Sequence, residues 1–284
     1  MRGIRAADKN NAQGGKTMIT ILDGAMGTMI QATVPEVPKY AETLNLTAGE
    51  VITAIHRKYV EAGSQILCTN TFTCNSKRAA AGGYDLDEVV AAAIANARRA
   101  GDVKVALDVG PLGEFIEPYG DLSEDEARAI FRALGNAAKG ADMVYIETMA
   151  DLREARIAAE ELKAASGLPL FATFTFARAG KTITGAAPAD AVKAVEELVD
   201  AVGLNCSLGP VEALPLVKEF RAATDKPIIA KANAGMPDSR GNYAMSPADF
   251  AAAALALRDA GADYLGGCCG TTPEFIAALK AALM

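Results

Sequence analysis

From Met18 to the C-terminus, short apolar runs alternate with amphipathic segments rich in Ala, Glu, Lys and Arg, and no linker-like stretch separates them. The apolar runs occupy residues 19–24 (ITILDG), 65–70 (QILCTN), 103–110 (VKVALDVG) and 143–148 (MVYIET). Four more occupy 170–176 (LFATFTF), 202–207 (VGLNCS), 227–234 (PIIAKANA) and 263–269 (DYLGGCC). Helical periodicity fills 50–62, 85–99, 123–139, 151–165, 188–200, 210–223 and 246–260, and a last helix starts at Pro273. Start signals support these readings: Ser123 with Glu126 forms a capping box, and Ser246 precedes Pro247 at a first helical position. Eight strands alternating with helices predict an α/β protein of the (β/α)8 TIM barrel class. A doubly wound open sheet competes, but it usually carries Gly-x-Gly-x-x-Gly after its first strand, and here Gly24 and Gly27 make only Gly-x-x-Gly. Residues 1–17 are polar, contain a Gly-Gly pair and show neither period, so they are expected to be a flexible tail, with Met18 as an alternative start. Residues 18–284 are expected to form one barrel domain.

In a barrel the reacting groups sit at the C-terminal strand ends. The apolar runs finish in Asp23, in Thr69 and Asn70, in Asp108, in Glu147 and Thr148, in Thr175, in Asn205 and Cys206, in Asn233, and in Cys268 and Cys269. Taken singly, each reads as a cap or turn residue that satisfies its own backbone. Eight polar ends together point to a polar pocket.

Charge narrows the partners. The 284 residues carry 28 Lys plus Arg against 35 Asp plus Glu, a net charge of −7, without a basic cluster. Nucleic acid is therefore not the expected partner. No stretch has the roughly 18 uninterrupted apolar residues of a membrane helix, and the N-terminus lacks the apolar core of a signal peptide. A cytoplasmic, reducing setting is expected, and with it five cysteines that raise thiol chemistry or metal binding rather than a disulfide framework.

Three of those cysteines fall at strand ends. Strands six and eight of a barrel lie two spacings apart, about 9.6 Å. A cysteine side chain plus a Zn–S bond reaches roughly 5 Å, so Cys206, Cys268 and Cys269 can grip one ion and leave its fourth position open, as in a catalytic site. Buried small hydrophobes or a redox pair remain alternative readings of the vicinal cysteines. Cys68, in an apolar run, and Cys74, in a polar loop, read as structural. His56, the one histidine, reads as a surface or half-buried helix residue. Without a second histidine, proton chemistry falls to carboxylates or to a metal.

Eight motifs follow one another along the chain: ILDGAMGTMIQ at 21–31, TNTF at 69–72, DVGPLG at 108–113, IET at 146–148, TITG at 182–185, GLNCSLGP at 203–210, KANAGMP at 231–237 and GGCCGTTPE at 266–274. Together they resemble the homocysteine S-methyltransferase family, and within it the homocysteine-binding module of cobalamin-dependent methionine synthase. The resemblance implies a zinc ion held by Cys206, Cys268 and Cys269, with the homocysteine sulfur as fourth ligand. A free thiol, with a pKa of about 8.5, is mostly protonated at neutral pH, whereas a metal-bound one is not. It further implies that Asp23 and the backbone at Gly24 orient the amino acid, that Glu147 accepts a hydrogen bond from its ammonium group, and that the Asn233 side chain approaches zinc when substrate is absent. The product would be methionine.

The methyl donor is read less directly. The family's cobalamin-dependent members carry further modules, so this chain is expected to be a stand-alone acceptor barrel receiving methylcobalamin on a separate corrinoid protein. S-methylmethionine or S-adenosylmethionine is the alternative donor. Transfer to another thiol or to a corrinoid protein, and a non-catalytic zinc-holding subunit, are the remaining possibilities.

Overall fold

The computed structural model describes residues 18–284; the expected tail at 1–17 lies outside them. In chain order the elements are β1 (Thr20–Ile21), α1 (Met26–Thr33), α2 (Leu44–Thr47), α3 (Gly49–Ala62), β2 (Ile66–Cys68), α4 (Ser76–Gly82), α5 (Leu86–Arg98) and β3 (Lys104–Val109). They continue with α6 (Glu124–Ala137), β4 (Met143–Met149), α7 (Leu152–Ser166), β5 (Leu170–Phe174), α8 (Pro188–Val195) and β6 (Ala201–Asn205). The last are α9 (Pro210–Ala223), β7 (Ile228–Ala232), α10 (Pro247–Asp259), β8 (Tyr264–Gly267) and α11 (Pro273–Leu283).

All eight strands are parallel and run β1-β8-β7-β6-β5-β4-β3-β2 around one sheet. The ring closes where Leu22 bridges Ile66 and the backbone N–H of Gln65 donates to the Ile21 carbonyl over 2.7 Å. This is the (β/α)8 barrel that the alternation of apolar runs and amphipathic segments predicts. Helix starts follow the sequence signals: the Ser123 hydroxyl accepts from the Glu126 N–H at 3.2 Å, and Ser246 from the Asp249 N–H at 3.1 Å.

Two apolar layers hold the barrel together. The larger lies between the strands and the ring of helices. The smaller fills the barrel's interior with residues that include Ile66, Met143, Tyr145, Phe171 and Ile229. Burying one such aliphatic or aromatic side chain contributes about 1.5–3 kcal/mol. Side chains two positions apart on a strand share a face. The residue two steps past each interior apolar one therefore also points inward: Asp108 after Ala106, Glu147 after Tyr145, Thr173 after Phe171, Lys231 after Ile229. A polar layer thus sits directly on the apolar one.

The structure departs from the expected elements in four ways. Helices α1, α2 and α4 are additional, being too short to show a sustained period. Helix α8 stops at Val195 instead of running to residue 200, because the chain must turn through Leu198 and Val199 to reach β6. Strands β1, β2 and β5 to β8 end two or three residues early; beyond them the backbone N–H groups of Thr175, Cys206 and Cys268 still donate to the carbonyls of Met149, Lys231 and Ala232 on the neighbouring strands. His56 is not a surface residue: it is 0% exposed on α3, and neither ring nitrogen has a hydrogen-bond partner. A single polar residue on an apolar helix face gives no sign of its depth in the sequence. Burial holds its pKa down to about 4.

Candidate metal and substrate site

The loops after β6 and β8 bring three thiols together. The Sγ atoms of Cys206 and Cys269 are 3.5 Å apart, and those of Cys206, Cys268 and Cys269 all lie within 4.8 Å of one another. Among the described residues no fourth His, Cys, Asp or Glu joins the group. A tetrahedral ion with bonds of about 2.3 Å to sulfur sets its ligands about 3.8 Å apart, so this soft donor set suits zinc and leaves one position open. Hydrogen bonds from Cys206 and Cys268 hold the Cys269 thiol well below the ordinary cysteine range, and the Tyr243 hydroxyl adds another. The Tyr243 ring lies against Gly270, directly after the pair.

Backbone geometry at the site is unusual. Thr148, Cys206 and Ser207 have φ of 64°, 60° and 59°, and they are the non-glycine residues with positive φ among those described. Such conformations cost on the order of 1–3 kcal/mol each and persist only where neighbours over-determine them. Asn205 does this here. Its Oδ1 accepts from the Thr148 N–H at 2.7 Å and from the Thr173 hydroxyl at 2.8 Å, while its Nδ2 donates to Thr148 Oγ1 at 2.8 Å and reaches Cys268 Sγ at 3.9 Å. One buried amide therefore ties the ends of β4, β5 and β6 to the loop after β8. The pairing of β4 with β5 also shifts register between Ile146 and Met149, the stretch that carries Glu147 and Thr148.

Beside the thiols lies a buried set of charges. Lys231 Nζ, on a side chain that is 4% exposed, is 3.1 Å from Asp23 Oδ1 and 3.7 Å from Glu147 Oε2. Asp23 Oδ2 accepts the backbone N–H of Cys68 at 2.7 Å. Burial alone would push Lys231 down, but Asp23 and Glu147 keep it protonated. Burial raises the pKa of Glu147, and Asp108 is raised well above the carboxylate range by burial and then by Glu147. Asp108 Oδ1, Glu147 Oε2 and Asn233 Oδ1 are buried without a hydrogen-bond partner. Buried acceptors of this kind cost about 1–3 kcal/mol when left unmade.

The floor of the mouth is tightly built. A Cβ on Gly24 would come within 2.8 Å of Thr271 Oγ1 and of the Tyr59 ring, so only glycine brings this backbone so close to the loop after β8. The Ala25 N–H next to it donates to Thr271 Oγ1 at 3.2 Å.

All the residues singled out in the sequence, Asp23, Gly24, Glu147, Cys206, Asn233, Cys268 and Cys269, line this end of the barrel. Cys68 and Cys74 are buried away from the thiol triad, Cys68 with its Sγ 3.5 Å from Lys231 Nζ. Two participants escape sequence reasoning. Lys231 sits in an apolar run, where a charge at an inward-facing register was the available signal. Tyr243 belongs to the loop between β7 and α10, and nothing in its neighbourhood distinguishes it. No helix among the described residues is long and apolar enough to cross a membrane.

The homocysteine S-methyltransferase family model matches residues 20–283. Among curated proteins the chain is 32% identical to the methionine synthases of Mycobacterium leprae (strain TN) and of Mycobacterium tuberculosis (strain ATCC 25618 / H37Rv), in each case over 93% of this chain and 24% of the relative. It thus spans about a quarter of the length of those relatives. Among solved structures it is similar to the metallated form of the homocysteine methyltransferase MmuM from Escherichia coli, with a TM-score of 0.80 and 26% identity, over 93% of this chain and 96% of that one.

Proposed function

Because the chain belongs to the homocysteine S-methyltransferase family, we propose that it is a zinc-dependent enzyme that methylates homocysteine to methionine. The observation that carries this reading is the thiol triad, three cysteines within reach of one ion and no fourth protein ligand among the described residues. Cys206, Cys268 and Cys269 would hold zinc, which when bound supplies activation of a thiol at neutral pH.

The chain's own residues do the rest. Asn205 fixes the strained backbone from which Cys206 projects and keeps Cys268 in register with it. Asp23 and the backbone at Gly24 orient the amino acid, and Glu147 accepts from its ammonium group. The unpartnered Asn233 Oδ1 stands among the groups of the mouth and is free to turn toward the thiols until substrate arrives. The homocysteine sulfur then attacks the methyl carbon in line. A sulfur–carbon bond forms, and the donor leaves with the electron pair of its own bond to that carbon.

The favoured donor is methylcobalamin carried on a separate corrinoid protein, a reading supported by the relatives named methionine synthase. S-methylmethionine or S-adenosylmethionine is the second reading. It is favoured by the Escherichia coli homocysteine methyltransferase, nearly all of whose chain this barrel covers.

The test is methylation of homocysteine by the zinc-loaded chain with methylcobalamin, S-methylmethionine and S-adenosylmethionine offered in parallel. Transfer from methylcobalamin alone is expected; turnover with a sulfonium replaces the favoured donor, and no methionine from any of them overturns the activity. Cys206→Ser should lose both zinc and turnover, and a metal-free variant with full activity would overturn the zinc chemistry.

A further inference from the structure

With a metal on Cys206, Cys268 and Cys269 and a thiol substrate in the open place, four sulfurs of like chemistry share one ion. Each is a thiolate, and each can attack a methyl group. Methylation of a cysteine would turn an anionic ligand into a neutral thioether and spoil the site. The ion does not tell the four apart, so the discrimination has to come from what surrounds them.

Each protein sulfur has a donor from outside the triad. The Ser207 backbone N–H donates to Cys206 Sγ, in a turn made by the left-handed φ of 60° at Cys206 and 59° at Ser207. Asn205 Nδ2, held by Thr148 Oγ1 at 2.8 Å, reaches Cys268 Sγ at 3.9 Å. The Tyr243 hydroxyl donates to Cys269 Sγ. A hydrogen bond to an ionised sulfur lowers its basicity, and nucleophilicity falls with basicity.

Tyr243 reaches this place through the loop between β7 and α10. Pro237 pairs antiparallel with Tyr243, and Asp238 Oδ1 accepts the N–H groups of Arg240 and Asn242 at 2.8 and 2.9 Å, which closes the loop into a hairpin. The Tyr243 side chain packs against the small cluster of Ala232, Ala234, Phe250 and Phe275. Its ring also lies against Gly270, where any Cβ would run into it. A phenol keeps its proton at neutral pH, so the ring presents a fixed donor.

We infer that Tyr243 is a positioning residue whose hydroxyl quenches the Cys269 sulfur, so that, with the Ser207 N–H and the Asn205 amide on the other two cysteines, the substrate sulfur is the strongest nucleophile of the four. Tyr243 thereby keeps the site from methylating itself. This inference rests on the reading of the triad as a zinc site that activates a thiol.

The experiment exposes the zinc-loaded chain and its Tyr243→Phe variant, both without homocysteine, to methyl iodide and maps S-methylcysteine by peptide mass spectrometry. In that reaction a cysteine sulfur bonds to the methyl carbon, the carbon–iodine bond breaks, and iodide leaves with its electron pair. A hydrogen bond to a charged group changes an equilibrium by about ten- to a hundredfold, and roughly half of that change, on a logarithmic scale, reaches the rate of attack. Cys269 of Tyr243→Phe should therefore be methylated about three- to tenfold faster, with Cys206 and Cys268 within about twofold of their original rates. Equal acceleration at all three cysteines would mean a loosened site and overturn the inference, as would an unchanged rate at Cys269. Cobalt(II) in place of zinc gives a second readout. The sulfur-to-cobalt charge-transfer band of Tyr243→Phe should move to longer wavelength, because an unquenched sulfur gives up charge more easily; an unmoved band would overturn the inference too. If the unmodified chain binds neither zinc nor cobalt, the zinc reading itself falls, an outcome distinct from a variant whose cysteines react as before.

Discussion

Two buried carboxylate clusters in this barrel are built in opposite ways. Glu42, 1% exposed in the short 3-10 turn before α2, has its oxygens filled by Tyr84 Oη at 2.6 Å, Arg78 Nε at 3.1 Å and Thr73 Oγ1 at 3.1 Å. It pins α4 and the loop after β2 to the barrel's flank, with a donor on each of its oxygens. The Asp108 and Glu147 pair is also buried, at 6% and 9% exposed, yet each carboxyl retains an oxygen with no hydrogen-bond partner, that of Glu147 lying 3.7 Å from Lys231 Nζ. A satisfied cluster is a fastening, whereas an unsatisfied one stores desolvation cost that a ligand can relieve.

The contrast is broken most severely at Lys231. Lys231→Met leaves Asp23, Asp108 and Glu147 without an internal cation, and urea unfolding should show a loss of about 3–5 kcal/mol. Glu42→Gln removes the charge that Arg78 and Tyr84 both use. Because Arg78 is about a third exposed and can turn to water, the expected loss is smaller, about 2 kcal/mol by the same measurement. Asp108→Asn should behave oppositely, leaving the substrate-free protein unchanged or up to about 1 kcal/mol more stable, since it removes a carboxyl group that burial forces to keep its proton in the folded state. A large destabilisation there would erase the distinction between the clusters.

Proton linkage sharpens the same comparison with opposite signs. Burial alone would raise Glu42, but the hydrogen bonds from Tyr84 and Arg78 outweigh it and hold its pKa below 4.5. Its stabilisation is therefore present above that pH and lost as pH falls below it. Burial, followed by the charge of Glu147, raises Asp108, so its cost grows as pH climbs above 3.8 toward the folded value. His56, held at about 4, adds a loss as pH falls from 6.5 through 4. Stability against pH should lose part of its acid limb in Glu42→Gln and part of its alkaline decline in Asp108→Asn. Superimposable curves for the two variants would contradict the assignment.

The period of the apolar runs made the eight strands and the major helices legible, because a barrel strand buried on both faces must be continuously apolar. The thiol triad was legible because cysteines at two strand ends can only converge on one rim. The pairing of Lys231 with Asp23 spans 208 residues, and no local pattern records a contact of that range. The burial of His56 and the role of Asn205 as a clamp were hidden for a related reason: each depends on what three-dimensional neighbours fail or manage to offer. Helices α1, α2 and α4 are single or double turns whose stability comes from docking rather than from propensity.

The seam of the barrel adds a consequence in time rather than in space. Between β1 and β2 the sheet is joined by the Leu22 bridge to Ile66 and the hydrogen bonds of Gln65, whereas β4 and β5 pair over four registered positions. Asp23 and Gly24, which the proposed function gives the task of orienting the amino acid, follow directly on that thin seam, while Cys206 hangs from the well-joined β6. Amide protons around residues 21–23 should exchange sooner than those of β4 to β6, because local opening starts where fewest bonds hold. On the proposed function, such opening would loosen the Asp23 edge of the mouth while the Cys206 edge stays still, so that a ligand could change without disturbing the thiols.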